Sequence, residues 1–592
     1  WIAAPKDPAD LYTRMAYVRE NHWKLTHLLN YNQTFYKHDI GMLLGFEEER
    51  FVKRTTDTAK LGLIDSSVGD SSSATTPSSI GGTGEEFTSR SYFGRINYAF
   101  DSRYLFEVNM RYDGSSRFAP DNRWGLFPSF SAGWRISEER FMKGLPIDNL
   151  KLRASWGKLG NNAIGNYEWQ AVYNSAKYAF GGSLNNGLAI TSISNNLLEW
   201  ESTAITNIGI DFATLRNRLT FEAEFYNKVT DGILYRPDMY MSLGTASGPR
   251  QNIAEVTNRG IEMTLNWQDR IGKVEYRVSG NFAYNQNKVS KYKGELQRGW
   301  VTDENGNRVY QTNIGDVSTG GSTRVIEGKM INEYYMLQPY KGSGNGFNAD
   351  GTVNINGGPR DGMIRTVDDM KWLNAMVGAG YKFYPRQNVS KSGIWYGDYI
   401  YADLNGDGVY GNDADNEFQG CSNVPKYNFG LQASANWKGF DFSMNWSGAA
   451  GFKIYYYRLA LNSSATIKGY AIGEAIANDH YFFDPKNPND PRTNLSSKNP
   501  RLTNNSGNDQ SGMTQSSVHL QKGDYIKLKN LTIGYTLPAV LSKKVYAQNI
   551  RFFASGENLF TITGYEGMDP EMRTAVGYST MRQYAFGVNI TF

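Results

Sequence analysis

From end to end the chain alternates large apolar with polar residues at a period of two, and the links between the alternating runs come in two sizes. In "SYFGRINYAF" the apolar series is Tyr92, Gly94, Ile96, Tyr98 and Phe100, against Arg95, Asn97 and Ala99. In "RYLFEVNMRYD" it is Tyr104, Phe106, Val108, Met110 and Tyr112, against Glu107, Asn109, Arg111 and Asp113, with only "DS" between the two runs. A period of two marks a strand with one apolar face, and so short a link is a hairpin turn. The pattern recurs from Phe130 to Ile136, Leu219 to Phe225, Ile261 to Trp267, Val274 to Phe282, Phe429 to Trp437 and Phe440 to Trp446, giving about fifteen strands.

A soluble β-sandwich also alternates, so the links decide between the two. Short links fall near 35–38, 101–103, 138–149, 214–217, 269–272, 437–439 and 538–548. Long links fall near 52–90, 113–125, 158–202, 229–254, 287–424, 449–522 and 562–583. Short and long alternate strictly. Tight turns at one end and long loops at the other describe an outer-membrane barrel with its turns in the periplasm, whereas a sandwich has no reason to sort its loops. The expected fold is all-β, a transmembrane antiparallel β-barrel over 1–592 with large extracellular loops near 52–90, 158–202, 287–424 and 449–522.

Composition agrees with a membrane wall made of strands. Aromatic residues make up 14% and charged residues only 20% of the 592 residues, while mean hydropathy is −0.53. No apolar run is long enough for a membrane-spanning helix, which leaves the β route open. Sixty-two basic residues against 58 acidic ones give no basic footprint for nucleic acid. The single cysteine, Cys421, excludes an intrachain disulfide and a thiolate cluster. The opening "WIAAPKDPADLYTRM" shows no signal-peptide pattern. No nucleophile elbow, zinc-helix motif or phosphate loop occurs, so enzyme chemistry is not expected.

The last strand places Tyr584, Phe586, Val588, Ile590 and Phe592 on one face, against Ala585, Gly587, Asn589 and Thr591. A closed barrel pairs its last strand with its first, so the chain can stop inside the sheet without leaving an edge. Such an apolar terminal strand is also the expected recognition signal for barrel-insertion machinery. An odd strand count is reconciled with the even numbers of single-chain barrels if this is the C-terminal part of a 22-stranded plugged transporter, with about seven strands and the plug upstream.

Three sets of residues stand out as candidate sites. "DLNGDGVYGND" spaces Asp403, Asn405 and Asp407 as positions 1, 3 and 5 of an EF-hand-type loop, with Gly408 at the turn and the Val409 carbonyl as a further ligand. Position 12 is Ala414, flanked by Asp413 and Asp415, either of which could substitute. The alternatives are a structural Ca²⁺ bracing the loop and a metal-free Asx- and Gly-rich turn. Arg95, Glu107, Arg111, Arg153, Glu222, Glu224, Glu262 and Arg277 fall on the inward face and would line the lumen, hydrating the wall and holding a plug or touching substrate. Loop aromatics Trp169, Trp300, Trp372, Trp395, Tyr396 and Tyr455 to Tyr457 suit sugar stacking, an interfacial belt or loop packing. "SSVGDSSSATTPSSIGGTG" over 66–84 reads as a mobile external loop.

Several stretches in order resemble the SusC/RagA family of TonB-dependent outer-membrane transporters of Bacteroidetes. They are "DGSSRF" (113–118), "RWGLFPSFSAGWRISEERFM" (123–142), "LKLRASWGKLGNNAIGNYEW" (150–169), "EWESTAITNIGIDF" (199–212), "NRLTFEAEFYNKVTDGIL" (217–234), "EVTNRGIEMTLNW" (255–267), "ADLNGDGVY" (402–410), "KGDYIKLKNLTIGYTLP" (522–538) and "ENLFTITGYEGMDPE" (557–571). The resemblance implies active import of a large nutrient, an oligosaccharide or a peptide. It implies a SusD-like lipoprotein lid, drive by TonB with ExbB and ExbD through upstream parts, and a dimer of transporter–lipoprotein pairs. It also implies a surrounding of outer-membrane lipid and lipopolysaccharide. The alternatives are a passive porin and a surface receptor or adhesin barrel.

Overall fold

The computed structural model describes residues 11–63, 67, 69–236, 248–319, 321–385, 388–456, 474–502, 515–573, 578 and 580–592. Among them one fifteen-stranded antiparallel sheet follows chain order without a crossover. Its strands are β1 (Tyr12–Phe35), β2 (His38–Leu63), β3 (Ala74–Phe100), β4 (Tyr104–Ser115), β5 (Trp124–Arg135), β6 (Ile147–Asn161), β7 (Glu201–Thr214), β8 (Leu219–Tyr235), β9 (Gln251–Ile271), β10 (Val274–Lys291), β11 (Tyr427–Trp437), β12 (Phe440–Ala450), β13 (Tyr525–Thr536), β14 (Asn549–Thr563) and β15 (Gln583–Thr591). Neighbours in sequence are neighbours in space, the low-entropy way to build a large sheet. No helix is long and apolar enough to cross a membrane, which says nothing of strands.

The chain packs as two units. The first takes in 1–145, 149–210 and 226–255, and the second 146–148, 211–225 and 256–592. In the first unit the alternation sets the register. Tyr92, Ile96 and Tyr98 of β3 lie opposite Phe46, Met42 and Ile40 of β2 and opposite Tyr112, Val108 and Phe106 of β4. Aromatic pairs hold that face, among them Tyr112 with Trp124, whose ring centroids are 4.8 Å apart. In the second unit Phe429, Leu431 and Ala433 of β11 face Gly448, Trp446 and Met444 of β12. The turn between these strands is Lys438–Gly439 with φ of 46° and 90°, the left-handed pair that a right-twisted hairpin needs.

Three expectations about loops are corrected. The region 52–90 is mostly strand, because β2 runs to Leu63 and β3 begins at Ala74. With it goes the external loop over 66–84. Thr76 to Gly84 pair with β2 almost residue for residue, since Ser, Thr, Ile and Gly satisfy a ladder whose two faces are both wet. The region 158–202 contains a hairpin, Val172–Phe180 with Ser183–Ser192, turned by Gly181 and Gly182 at positive φ. The region 287–424 is a folded block, described below.

The terminal strand behaves as its pattern predicts. β15 pairs with β14 from Asn549 opposite Thr591 to Glu557 opposite Gln583. Tyr584, Phe586, Val588, Ile590 and Phe592 are all exposed on the apolar face, Phe586 at 82%.

Candidate functional site

The polar face of the first unit carries an ordered set of charges. Arg111 donates from Nε to Asp113 Oδ2 at 2.8 Å and from Nη2 to Ser91 Oγ at 2.9 Å, and it lies 3.5 Å from Glu47. Its guanidinium sits 5.0 Å over the Phe93 ring, and Glu47 also holds Lys24 at 2.9 Å. Nearer the short turns, Glu107 accepts from Asn109 Nδ2 at 2.7 Å. Glu107, Asn97, Ser131, Ser155, Arg153 and Asn207 line a groove of about 570 Å³. Gly209 makes room for Arg153, because a Cβ there would stand 2.7 Å from the guanidinium carbon.

Two atoms in this groove lack partners. The amide oxygens of Asn97 and Asn207 are buried and accept no hydrogen bond. Each such acceptor costs about 1–3 kcal/mol if it stays unpaired. Of the expected inward residues, Glu107 and Arg153 share this groove. Arg111 belongs to the charge network above it, and Arg95 is exposed on the same face, opposite Leu43 and Asn109.

In the second unit Glu222, Glu262 and Arg277 are exposed and Glu224 is half-buried. Arg277 donates to Gln268 Oε1 at 2.8 Å. A chain of hydroxyl and amide groups crosses the same wall, with Ser279 donating to Asn266 Oδ1 at 2.5 Å and Asn266 donating to Thr220 Oγ1 at 3.1 Å.

Beyond the loop ends of β10 and β13 lies the block that the pattern of alternation did not reveal. Helix α1 (Val367–Gly378) starts at a capping box in which Thr366 Oγ1 accepts from Asp369 N at 3.1 Å and Asp369 Oδ2 accepts from Thr366 N at 2.8 Å. Such a box satisfies two backbone donors at once. "TVDD" before "MKWLNAMV" is the signal that would have found it. Trp372, Leu373 and Met376 turn into a core shared with Met363, Phe383 and Tyr401. Trp372 stacks on Tyr340 at 5.2 Å and donates from Nε1 to the Asn354 carbonyl at 2.8 Å.

A second loop, after β12, closes this block. Arg501 binds Asp398 through two hydrogen bonds of 2.8 and 2.9 Å. Arg365 donates to the carbonyls of Leu495 and Ser497, and Tyr481 Oη to that of Arg365 at 2.5 Å. Burial pushes the Asp398 carboxyl up, and the Arg501 hydrogen bonds act against that shift. Trp395, Tyr396, Phe482, Phe483 and His480 line a cavity of about 660 Å³ on its surface.

The other loop aromatics also pack. Trp169 and Trp300 donate to the carbonyls of Ser116 and Asn405, Tyr455 meets His519 edge-on, and Tyr456 meets Tyr565 edge-on. Tyr457 lies outside the described residues. Cys421 is buried as a free thiol beside Tyr334 and Met336.

The 403–415 loop is closed by its own backbone. Asp403 accepts from the N–H groups of Gly406, Asp407 and Gly408, and Asp407 Oδ1 from that of Val409 at 2.8 Å. Asp415 is fully buried and accepts from Leu404, Gly411 and Asn412. Burial pushes its carboxyl up to about 6, against the pull of those hydrogen bonds. Asp413 opens a short helical turn with Asn412 as its cap. Among the described residues no three acidic, histidine or cysteine side chains converge as a metal cage, so a cation here would depend on Asn405 and the Val409 carbonyl beside the carboxylates.

Comparison with known proteins follows the same lines. Residues 6–559 match the family model described as TonB dependent receptor-like, beta-barrel. TonB-dependent receptor P39 of Formosa agariphila is 30% identical over 95% of this chain and 52% of its own length. TonB-dependent receptor SusC of Bacteroides thetaiotaomicron is 28% identical over 85% of this chain and 43% of its own length. The chain thus spans about half the length of the curated relatives it matches. Among solved structures, that of the RagAB peptide transporter superposes with a TM-score of 0.73 at 21% identity, covering 98% of this chain and 56% of the other.

Proposed function

Because the chain belongs to the TonB dependent receptor-like β-barrel family, we propose that it is the C-terminal wall of a 22-stranded outer-membrane importer whose plug and first strands lie upstream. The protein is an outer-membrane β-barrel protein, and its family is one of transporters rather than enzymes. The cargo in this reading is a large nutrient, an oligosaccharide or a peptide. A SusD-like lipoprotein covers the loop end, and TonB with ExbB and ExbD drives the plug from the periplasmic side. The likeness to TonB-dependent receptor SusC and to the RagAB peptide transporter supports this reading, the second of them for a peptide cargo.

The observation that carries the reading is the division of labour in the sheet. One face is apolar and exposed, and the other bears Glu107, Arg111 and Arg153 with the unpaired amide oxygens of Asn97 and Asn207. The charged side chains of that face suit contact with a hydrated plug segment that is displaced during import. That is a polar, reversible contact rather than a permanent core. Ca²⁺ on the Asp403–Asp415 loop is a further part of the proposal, with Asp403, Asn405, Asp407 and the Val409 carbonyl as ligands. Isothermal titration with Ca²⁺ tests it, and no binding to the full-length protein refutes it.

Transport is tested in cells carrying the full-length protein. Uptake of labelled oligosaccharide and peptide pools is measured with and without a protonophore. The expected result is uptake that collapses with the proton gradient and a surface lipoprotein that copurifies. Uptake that survives the protonophore would make the barrel a passive pore.

A further inference from the structure

The loop that follows β14 does not rise away from the sheet. β14 ends at Thr563, yet Asp569 and Glu571, further along the chain, reach back to Lys527 of β13. In the ladder Lys527 lies opposite Ser447 of β12 and Thr561 of β14, on the polar side of these strands. The segment 564–571 therefore doubles back over that face. Tyr565, 6% exposed, fixes its start against Phe452 and Ile454. Gly567 permits the turn, since a Cβ there would stand 2.3 Å from the Tyr565 ring.

What the loop covers is a pair of lysines. Lys527 Nζ holds Asp569 at 2.9 Å and Glu571 at 2.7 Å, and Lys529 Nζ holds Glu571 at 2.6 Å. Both ammonium groups also meet one and the same oxygen, Glu571 Oε2, at 2.7 Å. Lys529 is an extra residue in the ladder, because the register of β13 against β14 shifts between Leu528 and Asn530, and a bulge of this kind re-aims a side chain. Two like charges brought to one point repel unless an anion sits between them, so the arrangement is a carboxylate site. Tyr525 Oη and Thr580 Oγ1 complete it, donating to Glu571 Oε1 at 3.2 Å and to Asp569 Oδ2 at 2.6 Å. Its inner half, Lys527 with Asp569, is closed to solvent, whereas Lys529 and Glu571 are 32% and 24% exposed.

We propose that Lys527 and Lys529 form a recognition site for an acidic peptide cargo, and that Asp569 and Glu571 are a built-in stand-in that fills it until cargo arrives. The occupant in place argues for this class, being itself a peptide whose two carboxylates are separated only by Pro570. A buried ion cluster adds little net stability compared with apolar packing. It is a poor permanent core but suits an exchangeable contact, and charge-assisted hydrogen bonds make that exchange selective for anions. Exchange starts at the half-open end, where Lys529 meets Glu571. Cargo carboxylates replace those of the loop, and 566–571 swings off the polar face about the fixed Tyr565. The proposal deepens the import reading and rests on it, since in that reading the polar face meets cargo.

The test reads binding to the full-length protein in detergent, apart from the uptake assay, so that a passive pore with this site and an importer without it are told apart. The probe is a fluorescent peptide with blocked ends, Ala-Asp-Pro-Glu-Ala, followed by anisotropy, and its Asn-Pro-Gln version is the neutral comparison. Glu571→Gln weakens the stand-in but keeps both lysines, so affinity for the probe should rise about tenfold. Adding Lys529→Gln to that variant removes a cargo contact that the loop no longer uses, and should cancel the gain. Thr580→Val loosens Asp569 without altering charge and should raise affinity by a smaller factor, which carries the test should Glu571→Gln lower the melting temperature. Hydrogen exchange at 566–571 should quicken when the probe binds.

Equal affinity in the wild type, Glu571→Gln and Thr580→Val would overturn the proposal and leave the cluster a fixed tie for the loop. Equal binding of the neutral probe would do the same. Tighter binding of an oligouronate than of the peptide would overturn the assignment of the cargo class.

Discussion

Truncating Trp372 to alanine should unfold the outer block while leaving the strands beneath it paired. Trp372 is fully buried, stacks on Tyr340, and meets Phe383 edge-on at 6.2 Å. Gly358, held at φ of 69°, lies so close that a Cβ there would be 2.4 Å from the indole. The surrounding backbone is thus shaped to the ring and cannot collapse into the space it leaves. Trp→Ala at such a site costs about 3–5 kcal/mol, and the Asn354 carbonyl that loses its Nε1 donor adds about 1 kcal/mol.

A total near 4–6 kcal/mol approaches the net stability of a whole domain. Hydrogen exchange on the full-length protein in detergent reads the result. Amides of 334–340, 363–376 and 396–401 should lose protection, while those of β11 and β12 keep theirs. Trp372→Phe, which keeps a ring but loses the donor, should fall between the two. Unchanged protection in the alanine variant would refute the argument that the indole organises this core. Joint loss of protection in block and sheet would refute their independence.

Two other outcomes follow from the structure. His519 is buried beside Tyr455 beyond the loop end of the sheet, and burial depresses its pKa to about 4. Its unfolded form takes up a proton near 6.5, so its contribution is fully present above that pH and is lost as pH falls toward 4. Between pH 6.5 and 5 about 2 kcal/mol should go, seen as earlier proteolysis of the flanking segment, and His519→Phe should flatten that slope. On the terminal strand, Val588→Arg puts a charge on the apolar face and should cost about 2–4 kcal/mol near the bilayer midplane. Folding titrations into lipid vesicles should show it, whereas Asn589→Arg on the polar face should cost far less.

Strand positions were legible because they obey one period. Tyr92 to Phe100 and Tyr584 to Phe592 show it directly, and the structure pairs both as expected. The outer parts of β2 and β3 were not legible in that way. Arg50 to Leu61 and Thr76 to Glu86 carry no sustained apolar side to report the strand, and backbone pairing helped by ion pairs such as Arg50–Glu86 holds them. The outer block was hidden for another reason. Its core gathers Tyr340, Met363, Trp372, Phe383, Tyr401 and Tyr481 from irregular turns, where no repeat links burial to spacing. Of the residues expected inward, parity places Glu107 and Arg153 on the polar face, but their common groove depends on Asn97 and Asn207, small polar residues that look unremarkable in a one-dimensional reading.

The bonds from Arg365 to Leu495 and Ser497, from Tyr481 to Arg365 and from Arg501 to Asp398 tie together two insertions that leave the sheet on either side of the β11–β12 hairpin. Neither insertion can then be exchanged alone. A graft that swaps 292–426 into a relative without 451–524 leaves Asp398 buried with no counter-charge, and the reverse graft strands Arg501. Variation in what these loops meet must therefore travel by paired replacement, with the hairpin between them carried along as an inert passenger.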